Sequence, residues 1–234
     1  PFGALETAFE SQHSEIDVLN ECHGSIQVIR HVTELHEKID VVATADYALI
    51  PMLMYAVDDP DSGLPYASWA IRFATNHLAL AYSPHSAYAD EINADNWYEV
   101  ISQPEVTLGV ADPRFDASGY RALMVLKLAE SYYGQADILE GVIQDQFTTP
   151  ISVFQAGPMA LITVPEILET VPQSPVVIRG ASIQLIALLE SGDLDYAFEY
   201  ESVIRQHGLE WVALPDAVNL GAPEYSEQYQ QVQG

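Results

Sequence analysis

Residues 107–123 read Thr-Leu-Gly-Val-Ala-Asp-Pro-Arg-Phe-Asp-Ala-Ser-Gly-Tyr-Arg-Ala-Leu. The apolar run ending near Ala111 predicts a strand, the Asp112-Pro113 step a loop, and the residues from Asp116 to Ser118 a helix start. Ala117, Ser118 and Gly119 put small residues over the free N–H groups of the first turn. Unbonded donors at the positive end of a helix dipole suit an anion. The same residues also suit ordinary capping, with Asp116 or Ser118 bonding the first turn and nothing docking there.

Two more junctions share this chemistry. Ala43-Thr-Ala-Asp-Tyr-Ala-Leu-Ile-Pro51 carries a hydroxyl, on Thr44, where a buried strand is expected to run into a helix. Cys22-His-Gly-Ser25 precedes another helix. In open α/β sheets ligands collect beyond the carboxyl ends of strands, so three such junctions favour a small-anion site. Glu199 stands out differently, inside the apolar run Tyr196 to Tyr200. Alternation puts Tyr196, Phe198 and Tyr200 on one face of a strand and Ala197 and Glu199 on the other. A carboxylate buried there is costly unless paired or coordinated; a surface-facing glutamate at a strand end is the alternative.

Enzyme readings find little. The Gly-x-Ser-x-Gly elbow, the His-Glu-x-x-His pair, the phosphate loop and the dinucleotide-binding glycine fingerprint are all missing from the sequence. The seven histidines are scattered. Cys22, the single cysteine, excludes an intrachain disulfide and a multi-cysteine metal site. No cofactor is expected.

The elements that must hold these residues alternate. Helices are expected over residues 4–13, Ile26 to His36 with Ser25 as N-cap, Tyr120 to Tyr133 with a stop at Gly134, and Ser182 to Glu190. Strands are expected at Ile16 to Leu19, Val41 to Ala45, Phe73 to Tyr82, Thr107 to Val110, Ala160 to Val164, Val176 to Ile178, Tyr196 to Tyr200 and Trp211 to Leu214. Asp58 to Pro65 reads as a turn-rich loop and Ser226 to Gly234 as a frayed end. Strands alternating with helices give an α/β fold with mostly parallel sheets. With 34 acids, 8 bases and a net charge of −26, the surface repels nucleic acid and anionic lipid. It also repels an anionic solute at long range, so an anion site here must act through short-range groups. No apolar stretch reaches the roughly 18 residues of a membrane span.

Several separated segments resemble the archaeal-type molybdate/tungstate-binding proteins of ABC importers. They are Ala45-Asp-Tyr-Ala-Leu-Ile-Pro51, Phe73-Ala-Thr-Asn with Leu80-Ala-Tyr82, and Tyr88-Ala-Asp-Glu-Ile-Asn-Ala-Asp-Asn-Trp-Tyr98. Asp116-Ala-Ser-Gly-Tyr-Arg121, Leu188-Leu-Glu-Ser-Gly192, Asp195-Tyr-Ala-Phe-Glu-Tyr200, Ser202-Val203 and Gln206-His207 continue the match. The resemblance implies a two-lobe periplasmic-binding fold of type II that closes on a dehydrated oxyanion. It implies a first lobe in residues 1–72, a second in 73–210, and a return toward the first in 211–234. It makes Ser25 and Thr44 the hydroxyl positions of lobe one, with Thr44 where the family usually has serine. Ala117 and Ser118 become the helix start of lobe two, where the family often shows Pro-Cys. Asp116 and Glu199 match the two carboxylates that bond the metal centre of the oxyanion, with Asp112 as the rival for Asp116.

It further implies a monomeric, non-catalytic protein that binds molybdate or tungstate and serves a membrane permease. Another tetrahedral oxyanion such as sulfate or phosphate is the alternative ligand. The place of action is extracytoplasmic, at the cell surface, either free or lipid-anchored. Family members begin with a strand and a Gly-Ser loop before the segment matching Pro1-Phe2, and continue past the segment matching 225–234. The sequence is therefore expected to be truncated at both ends, with the first lobe incomplete.

Overall fold

The computed structural model describes residues 2–233. Its strands are, in chain order, β1 (Leu78–Tyr82), β2 (Leu108–Ala111), β3 (Ser152–Ala156), β4 (Met159–Thr163), β5 (Val176–Arg179), β6 (Tyr196–Tyr200), β7 (Glu210–Val212) and β8 (Val232–Gln233). Its helices are α1 (Phe2–Gln12), α2 (Ser25–Thr33), α3 (Trp97–Val100), α4 (Ala117–Tyr133), α5 (Ile138–Val142), α6 (Ile183–Ser191), α7 (Glu201–His207) and α8 (Ser226–Tyr229). One sheet has the order β5-β2-β6-β1-β7 and a smaller one the order β3-β4-β8. The α/β class is as expected, and its pairing is mixed. β2 lies parallel to β5 and β6, β1 antiparallel to β6 and β7, β3 antiparallel to β4, and β8 parallel to β4.

Side-chain size is sorted by face. Leu78, Leu80, Tyr196 and Phe198 point into one core, against Leu123 and Leu126 of α4 and the fully buried Trp97. Ala79, Ala81 and Ala197 point the other way, against Leu185, Ile186 and Leu189 of α6 and Ile204 of α7. The period of two along a strand produces this sorting, and the small residues let α6 and α7 approach closely. Glu199 falls on the small-residue side, with Ala79 as its partner across the β1–β6 pair. At the end of α4, Gly134 takes φ 64° and its N–H bonds the Glu130 carbonyl, a left-handed cap that ends the helix where expected.

Residues 2–77 contain no strand. The stretches Ile16 to Leu19 and Val41 to Ala45, expected as strands, pair with nothing among the described residues. Leu19 is 89% and Val41 81% exposed, so neither run is the buried strand its composition suggests. Neither gains a ladder; the Val18 N–H donates to Glu10 Oε1 and the Ala45 N–H to the Ser25 hydroxyl instead. The expected strand from Phe73 starts only at Leu78, where β6 and β7 provide partners. Ser25 does not cap α2: Gly24 holds the N-cap position and no side chain bonds there. α1 buries none of its residues, and Ile29, Val32, Leu49, Ile50 and Met54 form a small separate cluster.

The chain beyond residue 211, expected to head back toward a first lobe, packs here on the main core through Val212, Leu214, Val218 and Val232. The expected frayed end likewise folds, because β8 pairs with β4 and buries Val232. Gly234 lies outside the described residues.

Candidate functional site

The loop after β2 leads into the first turn of α4. Asp116 is the N-cap of α4 in extended conformation. Its Oδ1 accepts from the Ser118 N–H at 2.9 Å and the Ser118 hydroxyl at 3.0 Å, and its Oδ2 accepts from the Ser182 N–H at 3.1 Å. The capping alternative is therefore realised, and it reaches across to the start of α6. A carboxylate accepts about four hydrogen bonds, so one acceptor direction remains. Gly119 allows this turn to lie against the strand end, since a Cβ there would come 2.2 Å from the Ala111 carbonyl oxygen. Ala117 is fully buried, and its N–H meets no acceptor among the described residues.

Asp112 is occupied elsewhere. Its carboxylate receives the Arg114 guanidinium in a two-pronged pair, at 2.9 Å to Oδ1 and 2.5 Å to Oδ2. That pair raises Arg114 above the ordinary arginine value.

Glu199 is 1% exposed. Its Oε1 accepts from the Tyr200 N–H at 2.6 Å, and its Oε2 has no hydrogen-bond partner among the described residues. Burial pushes its carboxyl up to about 7; the Ser182 side chain and the Tyr200 N–H oppose the rise, and the Asp116 charge adds to it. The influence of Ser182 is one of proximity, because no bond of ordinary geometry reaches Oε2. An orphaned buried acceptor costs about 1–3 kcal/mol, and more when charged. The site thus sets the capping Asp116 beside a buried carboxyl whose pKa burial raises and whose Oε2 is free.

A basic and phenolic layer flanks the pair. The Arg121 guanidinium donates to the Tyr200 hydroxyl at 3.3 Å and lies 3.5 Å from Asp46 Oδ1. The Tyr120 hydroxyl donates to Asp46 Oδ2. Burial raises Tyr200 to about 12, with Arg121 opposing and the Asp116 and Glu199 charges adding. Through Asp46, the strand-free N-terminal segment is clasped to α4.

A second contact joins the same parts. A Cβ on Gly24 would lie 2.5 Å from the Phe115 carbonyl oxygen, so the turn before α2 rests on the turn before α4. Ser25, buried, accepts the Ala45 N–H on its hydroxyl oxygen at 3.0 Å, which leaves its proton free to donate. The Thr44 hydroxyl donates to the Asp46 carbonyl at 2.7 Å. The structure thus gathers the segments carrying Ser25, Thr44, Asp116, Ala117, Ser118 and Glu199 around the start of α4. Sequence reasoning gave no role to Asp46, Tyr120, Arg121, Ser182 or Tyr200. Arg121 did carry a signal, as one of 8 bases against 34 acids, within an otherwise helical apolar stretch. Two surface depressions, one lined by residues of β5 and 168–170 and one by 83–85 and 189–192, share no residue with this site.

A sequence model of the family described as bacterial extracellular solute-binding protein matches residues 1–226. The chain belongs to that family. Among its relatives, an uncharacterized solute-binding protein of Methanoculleus marisnigri is 40% identical over 234 residues, covering 100% of this chain and 62% of that protein. The molybdate/tungstate-binding protein WtpA of Thermococcus kodakarensis is 37% identical over 240 residues, covering 100% of this chain and 63% of its own. The protein of the same name from Pyrococcus abyssi is 39% identical over 227 residues, covering 94% and 61%. The chain spans about three fifths of the length of these curated relatives.

A solved structure, the periplasmic molybdate-binding protein of Azotobacter vinelandii, superposes with a TM-score of 0.56 at 16% identity, over 98% of this chain and 85% of that one. That likeness establishes the periplasmic-binding-protein fold. Among the described residues no helix is long and apolar enough to cross a membrane.

Proposed function

We propose that this protein captures molybdate or tungstate outside the cytoplasm and delivers it to the membrane permease of an ABC importer. The observation that carries the reading is Glu199, a buried carboxyl with an unpartnered Oε2 beside a second carboxylate, Asp116, at a helix start. Two carboxylates repel an oxyanion unless they bond its central atom. Molybdenum and tungsten accept such bonds and expand from four oxygens toward six; sulfur in sulfate does not. The pair would therefore hold the intended solute and repel the common competitor. Relatives named for molybdate and tungstate support the same ligand.

In this reading the Ala117 N–H and the Ser25 hydroxyl proton are donors already free to meet the anion's oxygens. The Thr44 and Ser118 hydroxyls, now bonded to the Asp46 carbonyl and to Asp116, re-aim toward it on binding. We assign residues 1–72 to the first lobe and 73–210 to the second, with the Asp46 clasp and the Gly24 contact between them.

Calorimetric titration with molybdate, tungstate and sulfate tests the reading. We expect micromolar or tighter binding of at least one of the first two and a loss of about 100-fold, near 3 kcal/mol, in Glu199→Ala. Silence toward both oxyanions would end it. A parallel fall in sulfate affinity on the same substitution would show that Glu199 does not act through the metal centre.

A further inference from the structure

Next to Ser25 in the chain, residues before and within α2 form a cluster that the proposed function does not use. The His23 and His31 rings stack with centroids 4.8 Å apart and planes at 26°. Glu21 Oε2 lies 3.6 Å from His23 Nε2, and one ligand atom from each of Glu21, His23 and His31 falls within 4.8 Å of the others. We propose that these three side chains form a surface site for a divalent transition cation of the zinc class.

The chemistry of the donor set selects the cation. Two imidazoles and one carboxylate suit zinc, copper or nickel and are poor ligands for calcium or magnesium, which take oxygen. Tetrahedral zinc with bonds of about 2.1 Å needs ligand atoms about 3.4 Å apart. The Glu21–His23 spacing is already close to that, and closure on the cation requires the His23 and His31 rings to turn out of their stack by side-chain rotation. Three protein ligands leave the fourth position to water.

A second observation is independent of the cluster's spacing. Glu37 Oε2 sits 3.0 Å from His31 Nδ1, on a ring that must present its other nitrogen to a metal. A carboxylate behind a ligating imidazole fixes the tautomer and orientation and raises its basicity. The net charge of −26 concentrates cations near the surface, the opposite of its effect on an anionic solute. A bound cation would fasten the 21–23 turn to α2, directly before Gly24 and Ser25, which rest against the start of α4 and Ala45.

The site is tested with zinc alone, without oxyanion, so its failure is separate from failure of the proposed function. Zinc is titrated by calorimetry into chelator-treated protein at about pH 7.5, because metal binding releases protons from its ligands. We expect one equivalent at micromolar affinity, at least 10-fold weaker in His23→Ala and in His31→Ala, and unchanged in Cys22→Ser. Circular dichroism of the variants confirms that their fold is intact. No saturable uptake by the native protein, or uptake by both histidine variants as tight as the native protein's, would overturn the proposal. Loss of binding in Cys22→Ser alone would also overturn it, by assigning the metal to the exposed thiol.

Discussion

Residues 2–77 and residues 78–233 are built from similar material and fold differently. The run Val41 to Ala45 is as apolar as Leu78 to Tyr82, yet the first stands without a partner and the second is the centre of a ladder, bonded to β6 and β7. α1 buries nothing, whereas α4 buries nine of its 17 residues, packed against β1, β2, β6 and β8. The difference teaches that an apolar run becomes a strand only when a neighbour satisfies its backbone. Pairing is a property of the whole fold and not of the run. It also locates the candidate site. One half, Asp116 to Ser118 and Glu199, belongs to the sheet-centred part. Its other half, Ser25 and Thr44, is held by a few contacts through Gly24, Ser25 and Asp46.

The comparison breaks first if the two parts do not differ in stability. Trp97→Ala or Phe198→Ala, in the main core, should cost about 3–5 kcal/mol in urea unfolding. Phe9→Ala, on the exposed face of α1, should cost under about 0.5 kcal/mol. Similar values for the two would remove the distinction.

A smaller effect comes from Glu199. Its folded pKa of about 7 lies above its reference value of 4.5, so the folded state binds more protons between those pH values. Stability should fall as pH rises through that window, by about 3 kcal/mol for this group, with the loss complete above about pH 7. Glu199→Gln should flatten that part of the pH–stability curve and raise the melting temperature at pH 8. An unchanged slope would place the shift elsewhere.

The smallest effect sharpens the link between the parts. Asp46→Asn weakens the clasp with Tyr120 and Arg121, and should cost about 1 kcal/mol. In hydrogen exchange it should lower protection of α2 and leave β1, β2 and β6 unchanged. Loss of protection throughout would mean that residues 2–77 and the sheet unfold as one unit.

Local signals carried the elements that are self-sufficient. Gly134 marked the end of α4, and alternation placed Glu199 on the face opposite Phe198. Asp116 was legible as a helix start, and its bond to Ser182 was not, because that contact joins residues 66 apart. The unformed strands at 16–19 and 41–45 show the same limit from the other side. The pairing of Asp46 with Arg121 was not legible, although both stand in the segments that carry the resemblance, since it depends on how the two parts of the chain dock. The free oxygen of Glu199 is a fact of packing, and burial alone gives it meaning.

X-ray absorption at the molybdenum edge of the molybdate complex tests that meaning most directly. The account predicts a shell of about six oxygens, including longer bonds from Asp116 and Glu199, that returns toward four in Glu199→Gln. A four-oxygen tetrahedral shell in the native complex would contradict it.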